Sequence, residues 1–137
     1  MKTADAYNRL TLLANDAGDL PVLSTLMQDA IVRAGDIGWD RQGRRLVLLA
    51  SRYRWETAEK TRVRTALRIE TVRNVQRRNW PHDADAALAM LAITAEGDRI
   101  TIAFAGNASV RADVECLDVL LEDISPPWEV QRLPSHG

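Results

Sequence analysis

Between Arg62 and Thr71 the chain alternates strictly, with Val63, Thr65, Leu67, Ile69 and Thr71 at odd positions and Arg62, Arg64, Arg68 and Glu70 at even ones. Successive side chains of a β-strand point to opposite faces, so a period of two separates an apolar face from a cationic one. The preceding run, Arg45 to Trp55, extends the pattern. Leu46 to Ala50 is apolar on both faces, which predicts a central strand, and Arg52 and Arg54 then alternate with Tyr53 and Trp55. Residues 45–72 therefore read as two consecutive strands that share an arginine face.

The rest of the chain supplies a sheet around this pair. Arg9 to Ala14 reads as a short first strand. Asn15 or Asp16 offers a helix cap, Pro21 suits a first turn, and Leu20, Leu23, Leu26, Met27 and Ile31 follow helical spacing, predicting an amphipathic helix from Leu20 to Ala30. Ile31 to Trp39, punctuated by Gly35 and Gly38, reads as a kinked strand. Asp40-Arg41-Gln42-Gly43 has hairpin-turn composition, with Gly43 free to take positive φ. The alternation fails at Val72 to Val75, which predicts a bulge or a strand end, and Arg77 to Asp85, with Pro81, reads as a loop. Ala86–Ala95, Arg99–Phe104 and Ser109–Val114 form a meander joined by Glu96-Gly97-Asp98 and Ala105-Gly106-Asn107. Ile100, Ile102, Phe104, Val110, Ala112 and Val114 are expected to face inward. Cys116 to Ile124 places Leu117, Leu120, Leu121 and Ile124 at helical spacing before Pro126-Pro127, which predicts a C-terminal helix. The expectation is one α+β domain: a strongly curved, mainly antiparallel sheet or half-open barrel of about seven strands, with one helix after the first strand and one at the end. This element order resembles that of pleckstrin-homology-like barrels, where a terminal helix plugs one open end.

Charge is distributed unevenly along the 137 residues. Residues 1–40 carry net -3, residues 41–78 net +9 and residues 79–137 net -7, although the whole chain is only -1. The single cysteine, Cys116, excludes an internal disulfide and a multi-cysteine zinc site. No apolar run approaches the roughly 18–20 residues that cross a bilayer, and Met1 to Asn8 contain no signal-peptide core. A cytoplasmic protein with no membrane role is expected.

Candidate chemistry centres on Arg52, Arg54, Arg62, Arg64 and Arg68, with Tyr53, Trp55 and Trp80 nearby. Guanidiniums on one face can fork onto phosphates or carboxylates, and the aromatic rings could stack on bases. Arginines on a strand face also keep a sheet hydrated, and the acidic residues downstream could neutralise them. Cys116 near a helix N-terminus would favour a thiolate, yet alternation with Val110, Ala112 and Val114 predicts a buried, inert thiol, and only His82 and His136 exist as bases. His82, Asp83 and Asp85 share a loop without an obvious fourth metal ligand, so Asp83 or Asp85 is expected to cap loop backbone. Asp118, Glu122 and Asp123 read as a solvated face. Trp39, Trp80 and Trp128 lie near turns or ends, where a large ring seals a core edge or marks an interface.

Leu26-Met27-Gln28-Asp29-Ala30 followed by Val32-Arg33-Ala34-Gly35-Asp36 resembles the LQDAVVRxGD pattern of an uncharacterised bacterial family, domain of unknown function twenty-nine forty-eight. Phe104-Ala105-Gly106, Val114-Glu115-Cys116 and Leu121-Glu122-Asp123 resemble further pieces of it. The resemblance spans nearly the whole chain, and it implies no activity and no site residues. The expected role is a non-enzymatic interaction or adaptor domain, without cofactor or metal, that meets a protein or anionic partner through the arginine face or associates with a second copy. Single-stranded nucleic acid is the alternative ligand, and thiol catalysis at Cys116 a remote one.

Overall fold

The computed structural model describes residues 9–130. In chain order it contains β1 (Thr11–Ala14), α1 (Leu20–Leu26), β2 (Ile31–Arg33), β3 (Ile37–Asp40), β4 (Arg45–Tyr53), β5 (Thr61–Ile69) and β6 (Val72–Arg78). There follow β7 (Ala87–Glu96), β8 (Arg99–Phe104), a 3-10 turn at Ala105–Asn107, β9 (Ser109–Val114), β10 (Val119–Asp123) and β11 (Trp128–Glu129). All pairings are antiparallel, along the path β1-β10-β5-β4-β2-β7-β8-β9-β6, with β3 added to β4 and β11 to β5. The mostly antiparallel sheet and the helix after the first strand agree with expectation. The strand count does not, because eleven strands replace about seven.

The path bends back on itself because two strands run through a common corner. The chain passes from β5 to β6 through only Glu70 and Thr71, while β9 leads to β10 through residues 115–118. Backbone bonds stitch the two passages together, Glu70 N–H to Asp118 O at 2.9 Å and Glu115 N–H to Thr71 O at 3.0 Å. Thr71 takes φ 54°, a costly conformation for a β-branched residue. Its hydroxyl donates to Cys116 O at 3.0 Å, which helps to hold it there. The failure of alternation after Thr71 is this corner, followed by a register shift between Val72 and Asn74.

The core forms where period two predicts it. Val63, Thr65, Leu67 and Ile69 are buried on β5, and all six inward positions assigned to the meander are at most 2 % exposed. Helix α1 is shorter than expected and starts at Leu20, with Pro21 in its first turn and no side-chain cap. Asp16 instead turns the chain ahead of it, accepting from Gly18 N–H at 2.7 Å. The helix covers β7, where Ser24 Oγ accepts from Ile93 N–H at 3.0 Å. The kinked strand resolves into β2 and β3 on either side of a turn, where a Cβ on Gly35 would come within 2.9 Å of the Ala84 Cβ. In the hairpin before β4 the positive φ falls on Arg44, at 55°, rather than on Gly43. A Cβ on Gly43 would displace the Asp40 carboxylate that accepts its N–H.

The predicted C-terminal helix is replaced by β10, seated between β1 and β5. Val119, Leu121 and Asp123 point inward while Leu120 and Glu122 point out. The alternation was hidden because its third inward member is a carboxylate. Among the described residues no terminal helix is present to act as a plug, and the analogy with pleckstrin-homology-like barrels loses its basis. A helix would bury Leu120 and Leu121 alike; the strand predicts that Leu121→Ala costs about 2–5 kcal/mol in urea melts, and Leu120→Ala much less.

Candidate functional site

Arg52 does not join the outer face. It is fully buried beneath the sheet, where its Nε and Nη2 donate to Asp123 Oδ1 and Oδ2 at 3.0 and 2.9 Å. Its Nη1 and Nη2 donate to Glu56 Oε1 and Oε2 at 3.0 and 2.8 Å. Burial alone would lower the guanidinium pKa, but its hydrogen bonds to Glu56 and Asp123, with their charges, outweigh it and hold Arg52 above its ordinary value. Asp123, assigned to a solvated face by its sequence context, is 1 % exposed and also accepts from Leu10 N–H at 3.2 Å. Position 52 is an inward site of β4, in step with Leu46, Leu48 and Ala50.

Other members of the predicted patch are also withdrawn from it. Arg54 is buried, with Nη1 donating to Thr61 Oγ1 at 3.2 Å, and Tyr53 is buried at 5 % exposure. Trp55 packs edge-on against Tyr53 with centroids 4.7 Å apart and donates through Nε1 to Gln28 O at 3.0 Å. These two rings close the end of the β4–β5 hairpin over Gln28. Arg68 does lie on the outer face, but Glu70 holds it at 2.8 Å and Arg45 at 2.7 Å, so one carboxylate serves two cations.

What remains is a smaller and differently composed site. Arg62 and Arg64 stand opposite Tyr53 and Ser51 on the outer face, and Arg62 Nη1 donates to Ser51 O at 2.9 Å. Burial lowers the Arg62 pKa, against the charges of Asp29 and Tyr53, and the guanidinium remains a cation near neutrality. Both arginines line a groove of about 470 Å³ with Ile31, Arg33, Asp36, Leu49, Ser51 and Trp128. Arg33 and Trp128 were missing from the sequence-derived site. Arg33 follows the inward Val32, an alternation too short to separate from noise, and Trp128 arrives by pairing with Arg62 across β11. Trp128 is 41 % exposed.

Cys116 is exposed rather than buried, because the inward alternation of β9 ends at Val114 and the corner turns the next residues outward. No helix starts beside it; its Sγ lies 3.7 Å from Thr71 Oγ1. In the 81–85 loop Asp83 Oδ1 accepts from Asp85 N–H at 2.9 Å, the expected backbone cap. His136 lies outside the described residues. Among the described residues no group of three His, Cys, Asp or Glu side chains could hold a metal ion, and no helix is long and apolar enough to cross a membrane. Trp80 seals a core edge, lying edge-on to Phe104 and donating to Ala34 O at 3.0 Å.

A family model described as "Protein of unknown function (DUF2948)" matches residues 10–136. The chain belongs to this family. No curated protein and no solved structure matches it. For this DUF2948 protein the site is therefore defined by its own geometry.

Two outcomes follow from the buried cluster. Arg52→Met should cost about 3–5 kcal/mol, because it strands buried carboxylate, and adding Asp123→Leu should recover a large part of that loss in chemical denaturation. Burial raises the Glu56 carboxyl, but the hydrogen bond from Arg52 outweighs it and leaves the pKa lowered. That stabilisation is complete above the unfolded-state pKa and is lost as pH falls through the folded one. Urea melts should weaken on acidification below about pH 5, with a shallower decline in Glu56→Gln.

Proposed function

We propose that this chain is a non-enzymatic, cytoplasmic interaction domain that captures an acidic segment of a partner protein in the groove of Arg33, Arg62 and Arg64. One observation carries the reading: three guanidiniums from two strands converge on a concave surface whose lining has Asp36 as its one carboxylate. Arginine's planar fork suits carboxylate recognition, and partial withdrawal from water strengthens each contact. Ile31, Leu49 and Trp128 supply an apolar wall, the mixture of aromatic, aliphatic and arginine side chains typical of interface centres. In this reading the curved sheet acts as a half-open barrel that holds the groove rigid.

Single-stranded nucleic acid is the second reading, favoured by the exposed Trp128 ring beside Arg62. It is weaker here because Tyr53 and Trp55, the expected stacking platform, are occupied in sealing the hairpin.

Fluorescence anisotropy with a labelled glutamate-rich peptide and with oligothymidylate separates the two. The peptide should bind at low salt, and Arg62→Ala with Arg64→Ala should weaken it by about tenfold or more. Tighter binding of oligothymidylate, with a steep salt dependence lost in the same variant, would favour nucleic acid instead. Absence of binding by either probe would dispose of the groove as a binding site.

A further inference from the structure

The sheet path ends on β6, and among the described residues no strand pairs with its far side. In an antiparallel pair, alternate residues direct both N–H and C=O away from the neighbour. An open edge strand is therefore a row of unused donors and acceptors, which proteins commonly blunt with short length, proline or bulges. β6 has its register shift at Val72 and Asn74, where Val72 N–H is taken by Arg44 O, and then runs regularly from Asn74 to Arg78 against Asp113 to Ser109. It contains no proline.

Its side chains are cationic and mostly uncompensated. Arg73 lies 3.7 Å from Asp98, both widely exposed, a contact of little strength. Arg77 sits 5.6 Å over the Trp80 ring, which holds its guanidinium in place without neutralising it. Arg78 and Arg111 line a cavity of about 370 Å³ with Gln76, Arg77 and Ser109, and no carboxylate contributes to that lining. A second copy of this chain would meet the edge badly, because β6 paired with β6 brings Arg73, Arg77 and Arg78 of both copies onto one ladder. The same cations favour an incoming strand of opposite charge.

We propose that β6 accepts an extended acidic segment of a partner protein as an added strand, with backbone hydrogen bonds along Asn74–Arg78 and its alternate carboxylates on Arg78 and Arg111, which share one face of the sheet. Backbone pairing supplies affinity and alternate carboxylates supply selectivity. This surface shares no residue with the Arg62 groove, so either can fail alone.

The test uses the full chain carrying Arg62→Ala and Arg64→Ala, so that the groove contributes neither cation, and a short labelled peptide that alternates glutamate and valine. A second peptide of the same sequence carries N-methyl groups on alternate amides, and oligothymidylate of similar charge is the third probe. The plain peptide should bind, and Arg77→Glu with Arg78→Glu and Arg111→Glu should weaken it by about tenfold or more. N-methylation should abolish binding. No binding of the plain peptide at low salt overturns the proposal. So does equal binding of the N-methylated peptide, which would mean charge attraction without strand addition, or a preference for oligothymidylate. The N-methyl comparison needs none of the charge reversals, so it holds even if those unfold the chain.

Discussion

The Arg52 guanidinium makes four hydrogen bonds to Asp123 and Glu56 in a place with no solvent exposure, and that arrangement ties together parts of the chain far apart in sequence. Removing such ions from water costs several kcal/mol for each. The cost is offset only if every partner arrives in register, so Asp123 must lie inward on an extended β10, and β10 must pair with β5 five residues deep. Leu10 N–H, bonded to the same carboxylate, fixes the approach to β1. The buried charge cluster thereby favours Val119–Asp123 as a strand, the arrangement that brings Asp123 inward.

The corner at Thr71 and Cys116 follows from the same constraint. Once β10 is held against β5 and β9 against β6, both strands must turn together, and the turn is short: Glu70 and Thr71 on one side, residues 115–118 on the other. Thr71 takes an unfavourable φ in return for closing both backbones. The corner also turns Cys116 outward and presents Glu115 to Arg44 and Glu70 to Arg45 and Arg68.

Much of the sheet was legible because apolar residues alternate without interruption in β5, β8 and β9, whose ends or inward residues agree with the periodicity. The Arg45–Trp55 run shows the limit. Arg52 lies on the same face as Leu46 and Leu48, and a rule that sends charge to water places it outside; only Asp123, 71 positions later, reverses the assignment. Val119, Leu121 and Asp123 were misread for the mirror reason, since the carboxylate broke an alternation that helical spacing of Leu117, Leu120 and Leu121 could mimic. Arg33 and Trp128 entered the groove through pairings between distant strands, which local pattern does not encode.

The charge blocks of the sequence consequently do not survive as blocks in space. Acids from the corner and from β10 reach Arg44, Arg45, Arg52 and Arg68, and they neutralise the middle of the basic segment. The carboxylates of β9 and its neighbouring turn are spent on Arg99 and, weakly, on Arg73. Two cationic surfaces are left on either side of that neutral corner, a concave one at Arg62 and Arg64 and an edge one at Arg77, Arg78 and Arg111. Self-repulsion within the basic segment is relieved where the chain is most tightly bent. The positive charge that persists lies where incoming carboxylates have access, on a groove and on an open strand.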